Sequence, residues 1–163
     1  MRINVLEEDL GDAVNVANTE GWEKIGLTID SGAAETICPA REANSVATIP
    51  GSKFAQGVKY TCANGKKLPN LGEKRCVMCT EESEVEHNIT MQVADVTRAL
   101  MSVSRAVDAG NRIVFDDKWS YIEDKRSGQR TTIQRRGGLY VLECWIKARD
   151  ESASQPFGRQ GAR

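Results

Sequence analysis

The sequence contains no apolar run approaching the roughly 20 residues that a membrane span needs. Its opening, Met1-Arg2-Ile3-Asn4-Val5-Leu6-Glu7-Glu8-Asp9, lacks the apolar centre of a secretory signal. A cytoplasmic, reducing compartment with no membrane partner is the expectation. Charge of one sign is also missing: the formal net charge over 163 residues is −1, so no broad basic face is implied and nucleic acid is not an expected partner. Histidine is reduced to one residue, His87, which follows an acidic stretch and is expected at the surface. A Cys–His catalytic pair would need that histidine beside an activated thiol, and nothing local provides one.

The five cysteines, Cys38, Cys62, Cys76, Cys79 and Cys144, are odd in number, and a chain of this length buries a core without covalent staples. They read as reduced thiols. Cys76-Val77-Met78-Cys79 has a spacing that permits zinc, but residues three apart on a strand point to opposite faces and no second close pair follows. No metal or cofactor is expected.

An apolar content of 40% and a charged content of 28% fit one soluble globular domain. Three stretches are distinguished by composition. Residues 1–21 are polar and end at Gly21, a loosely held lead-in. Residues 22–146 carry short apolar stretches punctuated by Gly, Pro and Asn. Residues 147–163 read as a disordered, linker-like tail.

The central stretch reads as all-β. Ile25, Leu27 and Ile29 alternate with Gly26 and Thr28 at a period of two. Residues 58–62 and 66–71 flank Ala63-Asn64-Gly65 and predict a hairpin with an Asn-Gly turn. Residues 75–79 and 88–93 flank the acidic turn Glu81-Glu82-Ser83-Glu84. Strands over 112–115, 119–123, 130–134 and 139–146 form a meander pattern, separated by Asp116-Asp117, Ser127-Gly128 and Gly137-Gly138. One helix is predicted from the spacing of Leu100, Val103 and Val107, with Ser102 as its cap and Gly110 in the left-handed position past its end.

The segment that carries chemistry is Gly26-Leu27-Thr28-Ile29-Asp30-Ser31-Gly32-Ala33-Ala34. A strand runs directly into Asp30-Ser31-Gly32, so a carboxylate sits at a strand end in a tight turn. Gly32, without a Cβ, allows another backbone to approach, and the Ser31 hydroxyl can fix the loop. Two such carboxylates in contact cannot both ionise easily, which makes one an acid and the other a base. Only one Asp-Ser/Thr-Gly occurs in the chain. Asp108-Ala109-Gly110 lacks the hydroxyl and reads as a helix end.

The stretch from Leu27 to Ala33 resembles the catalytic loop of retropepsins. Val58–Leu68 with Gly72 after it is similar to the flap hairpin of that family. Ala99-Leu100-Met101-Ser102, the helix to Gly110 and Ile113-Val114-Phe115 are similar to its turn, helix and strand. Leu100-Met101-Ser102-Val103-Ser104 and Gly138-Leu139-Tyr140-Val141-Leu142 most resemble the protease region of copia-type retrotransposon polyproteins. The resemblance covers residues 22–146. It implies a closed β-barrel of the acid-protease type with one or two short helices, and aspartic endopeptidase activity on a retroelement polyprotein. With one motif per chain, it implies a homodimer that brings two copies of Asp30 together, with Ser31 bracing the two loops. Asp30, Ser31 and Gly32 would form the catalytic loop, and Ala33, Ala63, Asn64, Gly65 and Lys66 would bind an extended peptide. Trp145, on the last strand, is a candidate for the dimer interface. The alternative is a catalytically inactive module of the same fold that serves dimerisation or peptide binding.

Overall fold

The computed structural model describes residues 21–151. Among the described residues eleven strands and two short helices follow one another: β1 (Glu23–Asp30), β2 (Ile37–Cys38), α1 (Ser52–Ala55), β3 (Lys59–Thr61), β4 (Lys67–Pro69), β5 (Gly72–Thr80), β6 (Ser83–Val93), β7 (Leu100–Ser102), α2 (Val103–Asp108), β8 (Asn111–Val114), β9 (Ser120–Asp124), β10 (Arg130–Arg136) and β11 (Leu139–Ala148). The protein is all-β, and six strands close into a barrel. Their order is β1-β7-β2-β6-β5-β11, with β11 returning to pair antiparallel with β1. Closure leaves β1 with no open edge.

β11 is shared between two structures. Its second half, Trp145–Ala148, pairs with Cys76–Cys79 of β5 and completes the barrel. Its first half, Leu139–Val141, pairs with Gln134–Arg136 of β10, from which β9 and β8 continue as a meander. The long β5–β6 hairpin turns at Glu81-Glu82, where Thr80 pairs with Ser83. The Glu82 carboxylate accepts hydrogen bonds from the Thr132 N–H at 2.6 Å and its Oγ1 at 2.8 Å, which ties the hairpin end to the meander.

The period of two decides which side chains fill the barrel. Ile25 and Leu27 of β1, Met91 and Val93 of β6, and Leu142, Cys144 and Ile146 of β11 form one continuous core with Cys38 and Cys76. Lys74 is also inside, only 2% exposed. Its Nζ donates to the carbonyls of Ala40, Glu42 and Ala43 at 3.3, 2.8 and 3.0 Å. Those bonds hold the turn after β2, where Ala43 takes a left-handed φ of 58°. The Glu23 carboxylate clasps the same turn by accepting from the N–H groups of Asn44 and Ser45. Gly72 is required where β5 starts: its φ is +133°, and a Cβ there would lie 2.7 Å from the Ile49 carbonyl oxygen.

Two expectations change. The tail was expected to begin at residue 147, but β11 runs to Ala148, and the Arg149 guanidinium donates to the Ile89 carbonyl at 3.2 Å and Thr90 Oγ1 at 3.3 Å. The strand continues because β5 still offers Val77 and Cys76 as partners for Lys147 and Ala148. Trp145 is 6% exposed and lies within this chain, with Lys24 Nζ 5.8 Å from its ring centre, so it is core rather than interface. The proposed lead-in, except Gly21, and the tail beyond Glu151 lie outside the described residues.

Candidate active site

Asp30 is the last residue of β1. β1 runs parallel to β7 in the register Thr28–Leu100, Ile29–Met101, Asp30–Ser102. β7 in turn pairs antiparallel with β2 through Leu100 and Ile37. The chain therefore leaves β1 at Asp30, loops out through residues 31–36 and returns on the far side of β7. A loop straddling an inserted strand is fixed at both ends, so the carboxylate projects from a rigid base.

Within the loop, Asp30 Oδ1 accepts the Gly32 N–H at 2.8 Å, and the Asp30 carbonyl accepts the Ala33 N–H at 3.4 Å. Thr28 N–H donates to the Ala99 carbonyl at 3.0 Å on the approach to the loop. At its far end, Thr36 Oγ1 accepts the N–H of fully buried Ser102 at 3.1 Å. Ser102 Oγ accepts the Arg105 N–H at 3.2 Å and so caps α2, as its position before Val103 predicts. Gly110 follows the helix with φ +96°. Glu35 is the second anchor: its carboxylate pairs with the Arg105 guanidinium and with Lys53 Nζ, the latter at 3.2 Å. Hydrogen bonding to Glu35 is the main cause that holds the Arg105 pKa above its usual value.

The exposed part of this loop is Ser31, Gly32 and Ala34, with Asp30 and Ala33 half-buried. Ser31 Oγ makes no hydrogen bond among the described residues. Gly32 was expected to admit a close backbone. Among the described residues an added Cβ would meet only Asp30 Oδ1, at an ordinary 3.4 Å, so no described backbone crowds it. Asp108 is exposed at the end of α2, in keeping with its reading as a helix terminus.

The predicted hairpin is present as β3 and β4, shorter than the sequence pattern, with Tyr60 opposite Leu68. Ala63, Asn64, Gly65 and Lys66 form its exposed tip. The tip is closed on itself: Cys62 N–H donates to the Lys66 carbonyl, Gly65 N–H to the Cys62 carbonyl, both at 2.8 Å, and Lys66 N–H to Asn64 Oδ1 at 2.9 Å. The inward face, Tyr60 and Leu68, packs with Ile37 and Ala94. Ile37 is bonded through β7 to the strand that ends in Asp30, so hairpin and carboxylate share one support. Below it, Asn70 Nδ2 donates to Tyr60 Oη at 2.9 Å and Gln92 Oε1 at 2.8 Å, and Asn70 Oδ1 accepts the Gly72 N–H. Burial raises the Tyr60 pKa, keeping that phenol a neutral partner.

A groove of about 570 Å³ lies beside the catalytic-loop candidate, between the β5–β6 hairpin, α2 and β9. Met78, Ile89, Met101 and Ile122 supply its apolar lining, and Thr36, Ser102 and Arg105 reach it from the supports of the loop. Asp30 itself does not line it. The exposed His87 does.

The three buried thiols are poor nucleophiles. Burial pushes Cys38 and Cys144 up to about 12 and Cys76 up to about 11. Among the described residues no group of three or more His, Cys, Asp or Glu converges as a metal would require.

Sequence reasoning missed Glu35, Lys53 and Arg105, because their pairing spans up to 70 positions and leaves no local signal. Asn70 was within reach: an Asn two residues before a Gly is a turn signal. No family model, curated protein or solved structure matches this chain, and the site is therefore read from its own geometry.

Proposed function

We propose that the chain is an aspartic endopeptidase that acts as a homodimer through two copies of Asp30. The observation that carries this reading is the placement of Asp30: a carboxylate at a strand end, one oxygen held by the Gly32 N–H, in a loop anchored by Thr36–Ser102 and Glu35–Arg105. A single carboxylate has no partner to share a proton with. The exposed Ser31-Gly32 stretch, uncrowded by the described residues of its own chain, suits contact with the same loop of a second copy. Such a contact is isologous, each loop meeting its mate across a two-fold axis.

In that assembly one carboxyl holds the shared proton and the other is ionised. The ionised carboxylate takes a proton from water as the water oxygen attacks the scissile carbonyl carbon. The protonated carboxyl gives its proton to the carbonyl oxygen. The tetrahedral gem-diol then collapses: one of its hydroxyls returns a proton to the carboxylate that gave one as the C=O bond re-forms, the C–N bond breaks, and the leaving amine takes a proton from the carboxyl that received one, which restores the starting pair. No cofactor enters this scheme. The substrate is proposed to be an extended peptide beside the hairpin tip Ala63–Lys66 and Ala33, and in nature a retroelement polyprotein in the cytoplasm, in line with the resemblance of residues 22–146.

The test is cleavage of a precursor with native flanks, and of a mixed peptide library, at pH about 5, where a carboxyl pair can share a proton. Cleavage that vanishes in Asp30→Asn supports the reading. A second reading, a non-catalytic peptide-binding or dimerisation module, is favoured by the large groove that Asp30 does not line. It predicts peptide retention without cleavage, unaltered by Asp30→Asn.

A further inference from the structure

From Gly51 to Gly72 the sequence carries four lysines, Lys53, Lys59, Lys66 and Lys67, and no Asp or Glu, in a chain whose net charge is −1. Lys53 is engaged by Glu35. The other three lie on the β3–β4 hairpin, are exposed, and have no carboxylate partner among the described residues. Elsewhere the paired cations find carboxylates: Arg75 with Glu73, Arg112 and Arg130 with Glu123, Arg136 with Glu143.

The hairpin register places these charges together. Tyr60 and Leu68 point inward, so Lys59 and Lys67, next to them in sequence, point outward, and Lys67 pairs with Thr61. Lys59 and Lys67 are thus diagonal neighbours on one face, whereas Lys66, opposite inward-packed Cys62, belongs by the same register to the other side of the ribbon and adds its charge only at the exposed tip. Like charges set so close repel one another. A charge of either sign would protect the ribbon from edge pairing with other chains, so protection alone does not explain the exclusion of carboxylates. β3 and β4 pair only with each other, and each keeps an outer edge unpaired among the described residues.

We propose that the outer face of the hairpin, carrying Lys59 and Lys67 with Lys66 at the adjoining tip, is a docking surface for an acidic, extended peptide segment. A strand laid along the ribbon presents every second side chain to this face, and Glu or Asp at those positions meets the unpartnered ammonium groups. An acidic peptide suits the surface better than nucleic acid. The face has no arginine fork, its one aromatic, Tyr60, turns inward to Asn70, and the charge is local to one ribbon.

The test uses the full chain with Asp30→Asn, so that binding is read without cleavage and separates from the catalytic reading. Fluorescence anisotropy follows a labelled peptide of about ten residues with Glu at alternate positions, its Gln counterpart, and an oligothymidylate of similar length. The expected result is binding of the Glu peptide only, weakened several-fold between about 50 and 300 mM salt and at least about tenfold by the combined Lys59→Glu, Lys66→Glu and Lys67→Glu changes. The corresponding Lys→Gln triple variant, which adds no repulsion, must move affinity the same way. Equal binding of Glu and Gln peptides, tighter binding of the oligonucleotide, absence of binding, or an unchanged affinity in both triple variants would each overturn the proposal.

Discussion

Lys74→Met isolates one buried group. The methionine keeps most of the apolar stem and removes the ammonium that donates to the carbonyls of Ala40, Glu42 and Ala43. A hydrogen bond from a charged donor contributes about 1.5–3 kcal/mol net, and a buried carbonyl left without a partner costs about 1–3 kcal/mol. Water can reach the turn through its exposed members Ala40 and Asn44, which offsets part of that loss. The left-handed Ala43 also loses the contact that holds its carbonyl in place. A net destabilisation of about 3 kcal/mol follows, a large part of the 5–15 kcal/mol that typically separates folded from unfolded domains. For a domain of this size that is a fall in melting temperature of about 10 °C. Urea unfolding followed by circular dichroism, with an unchanged m-value, gives the free energy directly. A loss under about 0.5 kcal/mol would refute the assignment of Lys74 as the tie that closes the barrel end.

Other positions give independent checks. Gly72→Ala forces a Cβ to within 2.7 Å of the Ile49 carbonyl oxygen at a φ of +133°, and is expected to cost roughly 2–4 kcal/mol in urea unfolding. Ser102→Ala removes the cap on the Arg105 N–H and is expected to cost about 1 kcal/mol, with a matching fall in melting temperature. The thiols of Cys38, Cys76 and Cys144 hold their protons in the folded state up to about 12, 11 and 12, whereas unfolded thiols release theirs near 9.0. The unfolded state therefore binds fewer protons above that pH, and stability falls as pH rises from about 9 towards 11, by up to roughly 1.4 kcal/mol per pH unit per thiol. Denaturant titrations across that range check the sign, and native-state thiol labelling should report Cys62 well before these three.

Much of the fold is local in origin and so was legible. The strands expected over 112–115, 119–123, 130–134 and 139–146 appear as Asn111–Val114, Ser120–Asp124, Arg130–Arg136 and Leu139–Ala148, because period-two patterning and glycine turns are written in adjacent residues. Ser102 and Gly110 bound their helix for the same reason. The parallel pairing of Asp30 with Ser102 was not legible, since it joins residues far apart through Leu100, Met101 and a closed barrel. Helix α1 escaped notice because it buries no residue and its start has no side-chain cap. The turn after β2 depends on Lys74, whose carbonyl partners lie 31 to 34 positions away and leave no local signal. At the site, Asp30 was found by its motif, while the groups that hold its loop, Thr36, Glu35 and Arg105, are identified only by the contacts that folding creates.

A poisoning titration tests the central claim most directly. Wild-type chain at fixed concentration is mixed with rising Asp30→Asn, and cleavage of the flanked precursor is followed. If each active site takes one Asp30 from each of two chains, the variant captures wild-type partners and cleavage falls progressively towards zero. Cleavage that is indifferent to added Asp30→Asn, or equally present in the variant alone, would contradict a shared aspartyl pair.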